Sequence, residues 1–195
     1  MIQQIIFLLV TAVAFGYGIY QFSKIRRNIL LGQPEPTTGD AGKRWRNVLL
    51  VAFGQQKMFK RWIPAVFHLF IYVAFLFTQI ELIEILIDGF FGVHRFFADK
   101  LSVLYTVIIN FIELLSLLAF VGTIIFLVRR NLLKVPRFFK PEMKGWPTLD
   151  GNLILVFEIL LLIGIFSMNG ADVLLQKIDP EHYPETGTLL VSSWL

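Results

Sequence analysis

The chain has 195 residues, 56% of them hydrophobic and only 16% charged, with a mean hydropathy of +0.68. That is more apolar than a water-soluble domain, in which about half the residues are apolar and a quarter charged. The net charge of +4 does not indicate nucleic acid, because the basic residues cluster between long apolar runs. The absence of cysteine excludes disulfides, cysteine-ligated zinc and any iron–sulfur cluster held by this chain.

Four apolar runs are long enough to cross a bilayer, which takes about 20 residues. The first spanning helix is expected over residues 1–28, with its apolar part from Ile2 to Phe22. No basic residue precedes it, and Lys24, Arg26 and Arg27 follow it, the reverse of a cleaved signal, so it reads as a retained helix. Residues 29–61 read as a loop: the turn-rich GQPEPTTGDAG, then KRWRNVLLVAFGQQKMFKR, whose mixed basic and apolar residues predict a helix lying in the membrane interface. Helix two is expected over 62–88, an outer loop over 89–100, and helix three over 101–128. A loop with Pro136, Pro141 and Pro147 is expected over 129–151, helix four over 152–176, and an outer segment over 177–195. The chain ends apolar, TGTLLVSSWL, where a further element would begin, which reads as a fragment.

Basic residues set the orientation. Lys24, Arg26, Arg27, Lys43, Arg44, Arg46, Lys57, Lys60 and Arg61 lie between the first two apolar runs; Arg129, Arg130, Lys134, Arg137, Lys140 and Lys144 lie between the last two; only Arg95, Lys100 and Lys177 lie opposite. The positive-inside rule then places both basic loops in the cytoplasm and the N-terminus outside. Trp45, Trp62 and Trp146 fall near the cytoplasmic interface, where indoles concentrate. The expected fold class is an all-α integral membrane four-helix bundle.

His68, about two turns into helix two, is the first candidate for chemistry, since a histidine within a spanning helix is costly. Arg61 and Lys57, seven and eleven residues earlier, return to within about 20° of its face if the helix extends that far back. One reading makes His68 a haem b ligand with those cations at the propionates; the other gives it a hydrogen bond to a neighbouring helix. Both stay open. His94, beside Arg95, is a candidate for a second haem or an ordinary interfacial histidine, and His182 lies in the exposed-looking DPEHYPET.

Glu81 and Glu84 share a face of helix two, extended by Asp88. Thr106, Asn110, Glu113 and Ser116 form a polar stripe on helix three at spacings of four, three and three. Glu158 lies in the cytoplasmic half of helix four. These groups are candidates for a quinone contact or a proton path, or else for interhelical hydrogen bonds of about 1 kcal/mol each. Ala14, Gly16, Gly18, Gly122 and Gly164 permit close helix packing. No phosphate-binding glycine loop, nucleophile elbow or HExxH is present.

The segment GQQKMFKRWIPAVFHLFIYVAF, with LLG and prolines before it and FKPEMKGWPTLDGN after helix three, resembles the N-terminal membrane domain of heterodisulfide reductase-like iron–sulfur oxidoreductases. That family is related to the cytochrome b-type gamma subunit of nitrate reductase. The resemblance runs from Leu30 to the end. It implies the first four of five helices in a bacterial inner membrane, haem b liganded by His68, quinone as redox partner, and iron–sulfur clusters only in a cytoplasmic domain or subunit. Two departures stand out: Ala74 sits near where the related pattern has glycine, and neither a fifth helix nor a cluster domain is within these 195 residues. His94 and His182 fall on the opposite side from His68. The implied role is the membrane part of an oxidoreductase with no complete active site in this chain. The alternative is a cofactor-free anchor of a larger complex, and a transporter ranks third because inverted repeats and broken helices are lacking.

Overall fold

In a computed structural model the described residues are 2–33, 39–133 and 135–194, without the side chain of Arg137. Residues 34–38 of the turn-rich loop, Lys134 and the Arg137 side chain, the last two counted above among the basic loop residues, therefore lie outside the described residues. Four long helices dominate: α1 (Ile2–Leu30), α3 (Trp62–Phe91), α5 (Val103–Asn131) and α6 (Trp146–Ile178), with the short α2 (Ala41–Asn47) and α4 (Ala98–Leu101) between them. All four long helices have the length and hydropathy of membrane spans. At about 1.5 Å per residue each exceeds the roughly 30 Å hydrocarbon core. No strand occurs among the described residues. The protein is an all-α, multi-pass membrane protein.

The long helices extend past the apolar runs because their flanking charged turns continue the helical hydrogen bonding. α6 shows why a start signal can hide in a loop: Pro147 falls in its first turn, where the missing N–H costs nothing, and Gly145 before it takes φ 76°. The helix thus begins at Trp146, where the sequence suggests a loop through Gly151. The expected interfacial helix is discontinuous: Asp40 caps α2 through the Gly42 N–H at 2.8 Å, a π-helical turn follows over Val48–Phe53, and a 3-10 turn closes Met58–Lys60.

The chain forms two compact units. One comprises residues 1–60 and 86–93. In it the start of α1 meets the end of α3: Gln4 Nε2 donates to the Phe90 carbonyl at 2.8 Å, and Phe7 and Phe90 meet edge to face at 6.0 Å. No residue of α1 is buried.

The second unit comprises residues 61–85 and 94–195. There α3, α5 and α6 pack around Ala74, Leu115, Ala119, Leu162 and Phe166, and a second core of Tyr105, Ile109 and Ile112 takes in Leu189 of the C-terminal segment. Small residues set the spacing: a Cβ at Gly122 would stand 3.2 Å from the Phe67 carbonyl and 3.6 Å from the Ile71 side chain. Gly122→Leu is expected to push α5 from α3 at a cost of about 1–3 kcal/mol, read as a lower unfolding temperature in detergent. Gly164→Leu, where a Cβ meets open space, should leave that temperature unchanged.

Candidate functional site

The second unit holds a buried ionic cluster at its sparsely basic end. Arg95 enters it in the left-handed conformation, φ 51°, which a non-glycine residue keeps only where its surroundings enforce it. Its side chain turns inward and is 6% exposed. Nε donates to Asp172 Oδ2 at 3.1 Å, Nη2 to Asn169 Oδ1 at 2.6 Å and Nη1 to the Tyr105 hydroxyl at 3.3 Å. Nη1 also lies 3.7 Å from Glu81 and 3.6 Å from Glu84. Burial alone works against a charged guanidinium, but Tyr105, Asp172, Glu81 and Glu84 more than offset it, so the Arg95 pKa is held above its ordinary value.

Each surrounding acid has a different set of partners. Glu84 accepts the Phe97 N–H at 2.9 Å and the Tyr105 hydroxyl at 2.6 Å. Asp172 accepts from Gln176 Nε2 at 3.0 Å and meets His94 Nε2 at 2.5 Å. Glu81 has only the distant guanidinium: it lies beside the Asn169 amide, yet neither of its oxygens nor the Asn169 Nδ2 completes a hydrogen bond. Burying such capacity unspent is costly and marks a place to look for a ligand or a proton.

Glu81 also lines a cavity of about 260 Å3 between α3 and α6. Its wall is mostly apolar, with Thr78, Gln79 and Glu158 adding polar groups to those of Glu81. This pairing of an apolar pocket with a few convergent polar groups is typical of small-molecule sites. It joins the Glu81 and Glu158 candidates and leaves Glu84 behind, in the ionic cluster.

The stripe on α5 has a different use. Asn110 donates to the Thr188 carbonyl at 2.9 Å and accepts the Leu190 N–H at 2.8 Å. Glu113 accepts the Val191 N–H at 2.8 Å, the Ser192 N–H at 3.2 Å and the Ser192 hydroxyl. Thr106 Oγ1 donates to the Thr186 carbonyl at 3.4 Å, and Gly187 leaves the room this needs, since a Cβ there would come 2.4 Å from that oxygen. Thr106, Asn110 and Glu113 thus form a track for segment 186–192, which runs outside regular structure up to the 3-10 turn at Ser192 and whose backbone polar groups need partners where it packs. Both oxygens of Glu113 are spent on it.

The histidines separate. His68 is exposed on α3 and forms no hydrogen bond or ion pair among the described residues. Arg61 stays in phase with it, because its carbonyl accepts the first helical bond from Ala65 at 3.1 Å. Lys57 does not: it precedes the 3-10 turn, outside α3, so the helical-phase argument stops at Arg61. His94 has its Nε2 on Asp172 and its Nδ1 buried, so neither ring nitrogen is presented to an iron. His182 is exposed and hydrogen-bonds Asp179 at 3.1 Å, which holds that carboxyl below its ordinary pKa. No group of three or more potential metal-binding His, Cys, Asp or Glu side chains occurs among the described residues.

Sequence reasoning missed Arg95, Tyr105, Asn169, Asp172 and Gln176. A signal was present: Asn169, Asp172 and Gln176, at spacings of three and four, form a polar stripe on helix four like the one noted on helix three. No protein-family model, curated protein or solved structure matches the chain.

Proposed function

We propose that the chain is the electron-transferring membrane module of a quinone-linked iron–sulfur oxidoreductase. The observation that carries this reading is His68, an imidazole exposed on a spanning helix with no partner among the described residues. Facing lipid alone it would be costly, so its exposure calls for a cofactor or another helix. The residues present fit haem b in part. His68 offers one axial nitrogen, Arg61 lies at the helix start as a cation for a propionate, and Tyr72 and Phe75 continue the face, four and seven residues on. The second axial ligand has to come from another helix or another chain: 23 residues of helix, about 35 Å, separate His68 from the end of α3 and so from His94. A bound haem would supply one-electron transfer.

In this reading the two basic loops face the cytoplasm of a bacterial inner membrane, with an iron–sulfur domain or subunit on that side. The cavity takes a quinone headgroup, with Glu81 and Glu158 offering hydrogen bonds to its oxygens. The deciding experiment is a reduced-minus-oxidised spectrum of the chain purified with its native partners. A b-type α-band that His68→Ala abolishes is the expected result. Because His68 is exposed, the variant should fold, and an unchanged band in it removes His68 as ligand.

A cofactor-free anchor in a larger complex is the second reading, favoured by α1, on which no residue is buried. A well-folded sample with its partners and no haem band would select it.

A further inference from the structure

The heavily basic end of the second unit holds a pocket of about 430 Å3 where α5 ends and α6 begins. Arg130 comes to it from α5, Lys144 and Phe139 from the connecting loop, and Leu149 and Asn152 from α6. No acidic side chain lines it among the described residues. Of the two acids nearest in sequence, Glu142 pairs with Lys140 at 3.9 Å, and Asp150 lies outside the lining.

Arg130 is held in place rather than trailing into water. Its Nη2 donates to the Pro147 carbonyl at 3.0 Å and to the Thr148 carbonyl at 3.4 Å. Its guanidinium stands 5.2 Å from the centre of the Phe138 ring and packs on Gly151, where a Cβ would come within 2.6 Å of it. None of these partners neutralises its charge. Arg130 forms no ion pair among the described residues, and its buried Nε has no acceptor. The Lys144 side chain is exposed and likewise forms no hydrogen bond or ion pair among the described residues. A lone lysine on a surface is ordinary. Beside a fixed, uncompensated guanidinium in one hollow, it raises the local potential and draws an anion.

The depth of the pocket favours one kind of anion. From Thr148 to Leu153, where the apolar run of α6 begins, is about 8 Å of helix. That puts the two cations at the level of the lipid headgroups, a layer of roughly 6 Å on each side of the hydrocarbon. Phe139 and Leu149, both exposed, give the pocket an apolar wall. We propose that the pocket binds the phosphodiester of an anionic phospholipid. Arg130 and Lys144 donate to the phosphate oxygens, and Phe139 and Leu149 meet the glycerol and the first acyl carbons. A zwitterionic headgroup would bring its own ammonium up to the same two cations, so a lipid with net negative charge is preferred. The site is compatible with the haem reading and the anchor reading alike and depends on neither.

The test is native mass spectrometry of the full chain in detergent, titrated with phosphatidylglycerol or with phosphatidylcholine of the same acyl length. Phosphatidylglycerol should occupy a site about tenfold more tightly than phosphatidylcholine. Lys144→Gln, a change at an exposed side chain without partners, should remove most of that preference, and Arg130→Gln all of it. Lys43→Gln on α2, outside the pocket, should leave it unchanged. Equal binding of the two lipids by the wild type overturns the proposal and leaves the pocket to an acidic protein surface. A preference intact in Lys144→Gln overturns it as well. So does a preference lost equally in Lys43→Gln, which would mark diffuse attraction to a basic surface. Displacement of phosphatidylglycerol by an equal concentration of inorganic phosphate overturns the lipid assignment in favour of a soluble anion. Where Arg130→Gln fails to fold for want of its bonds to α6, the Lys144 arm decides.

Discussion

Arg95→Ala should unfold in detergent far more readily than the wild type. The change removes the guanidinium that sits among Glu81, Glu84 and Asp172 and leaves those three acids buried without it. Breaking a buried ion pair from one side costs about 3–5 kcal/mol. The backbone works in the opposite direction. Residue 95 sits at φ 51°, where relief of non-glycine strain is worth about 1 kcal/mol. Arg95→Gly should therefore melt slightly above Arg95→Ala, and both well below wild type, because the charge effect exceeds the strain effect. Arg95→Lys keeps the charge but not the fork that reaches Asp172 and Asn169 together, so it should recover only part of the loss. The pH dependence has a definite sign. The guanidinium's pKa is raised from a value already above the working range, so stability tied to its own titration is present throughout that range. Thermal unfolding followed by circular dichroism at several pH values reads all of this. An Arg95→Ala variant as stable as wild type would mean that these acids are neutral in the fold and need no counter-charge.

The four spans were legible because membrane insertion is a property of local composition: a run such as LLVTAVAFGYGIY signals itself without knowledge of its neighbours. What the runs pack against was not legible. Asn169 and Asp172 are embedded in the fourth apolar run with nothing local to single them out, and Arg95 is one of three basic residues in a sparsely basic region. Only the fold brings residues 94–105 onto 169–176. Helix boundaries erred for a nameable reason, since Pro147 terminates a loop and starts a helix with equal ease. For the candidate site, the shared face of Glu81 and Glu84 followed from helical spacing, but their division of labour did not. Glu84 is claimed by Tyr105 and the Phe97 N–H, contacts outside its own helix, while Glu81 keeps its hydrogen-bonding capacity and faces a cavity. The stripe Thr106–Asn110–Glu113 was visible as a stripe, yet its partner is a backbone segment some 80 residues away in sequence, and a run of apolar residues such as LLVSSW gives no sign of docking against a carboxylate.

Glu113→Ala is expected to release that segment. Three donors converge on the carboxylate, two of them backbone N–H groups, of Val191 just before and Ser192 at the start of a 3-10 turn, where no helical acceptor serves them. Hydrogen bonds to a charged group contribute about 1.5–3 kcal/mol each, but the segment need not stay buried once freed. The observed loss should then fall well below the sum, at about 3–5 kcal/mol. Glu113→Gln tests geometry against charge. Its carbonyl can accept one or two of the donors, but its NH2 group then faces another N–H, so it should recover part of the stability and hold the segment loosely. Asn110→Ala removes one accepted and one donated bond and should be milder than Glu113→Ala. Hydrogen exchange at residues 188–192, or proteolysis after Lys177, distinguishes local release from global unfolding. If Glu113 acts only as the anchor of this segment, exchange there rises steeply while the α3–α5–α6 core around Ala119 and Leu162 stays protected. If protection at 188–192 persists in Glu113→Ala, the segment is held by the burial of Leu189 against Tyr105 and Ile109, and the carboxylate is free for another role.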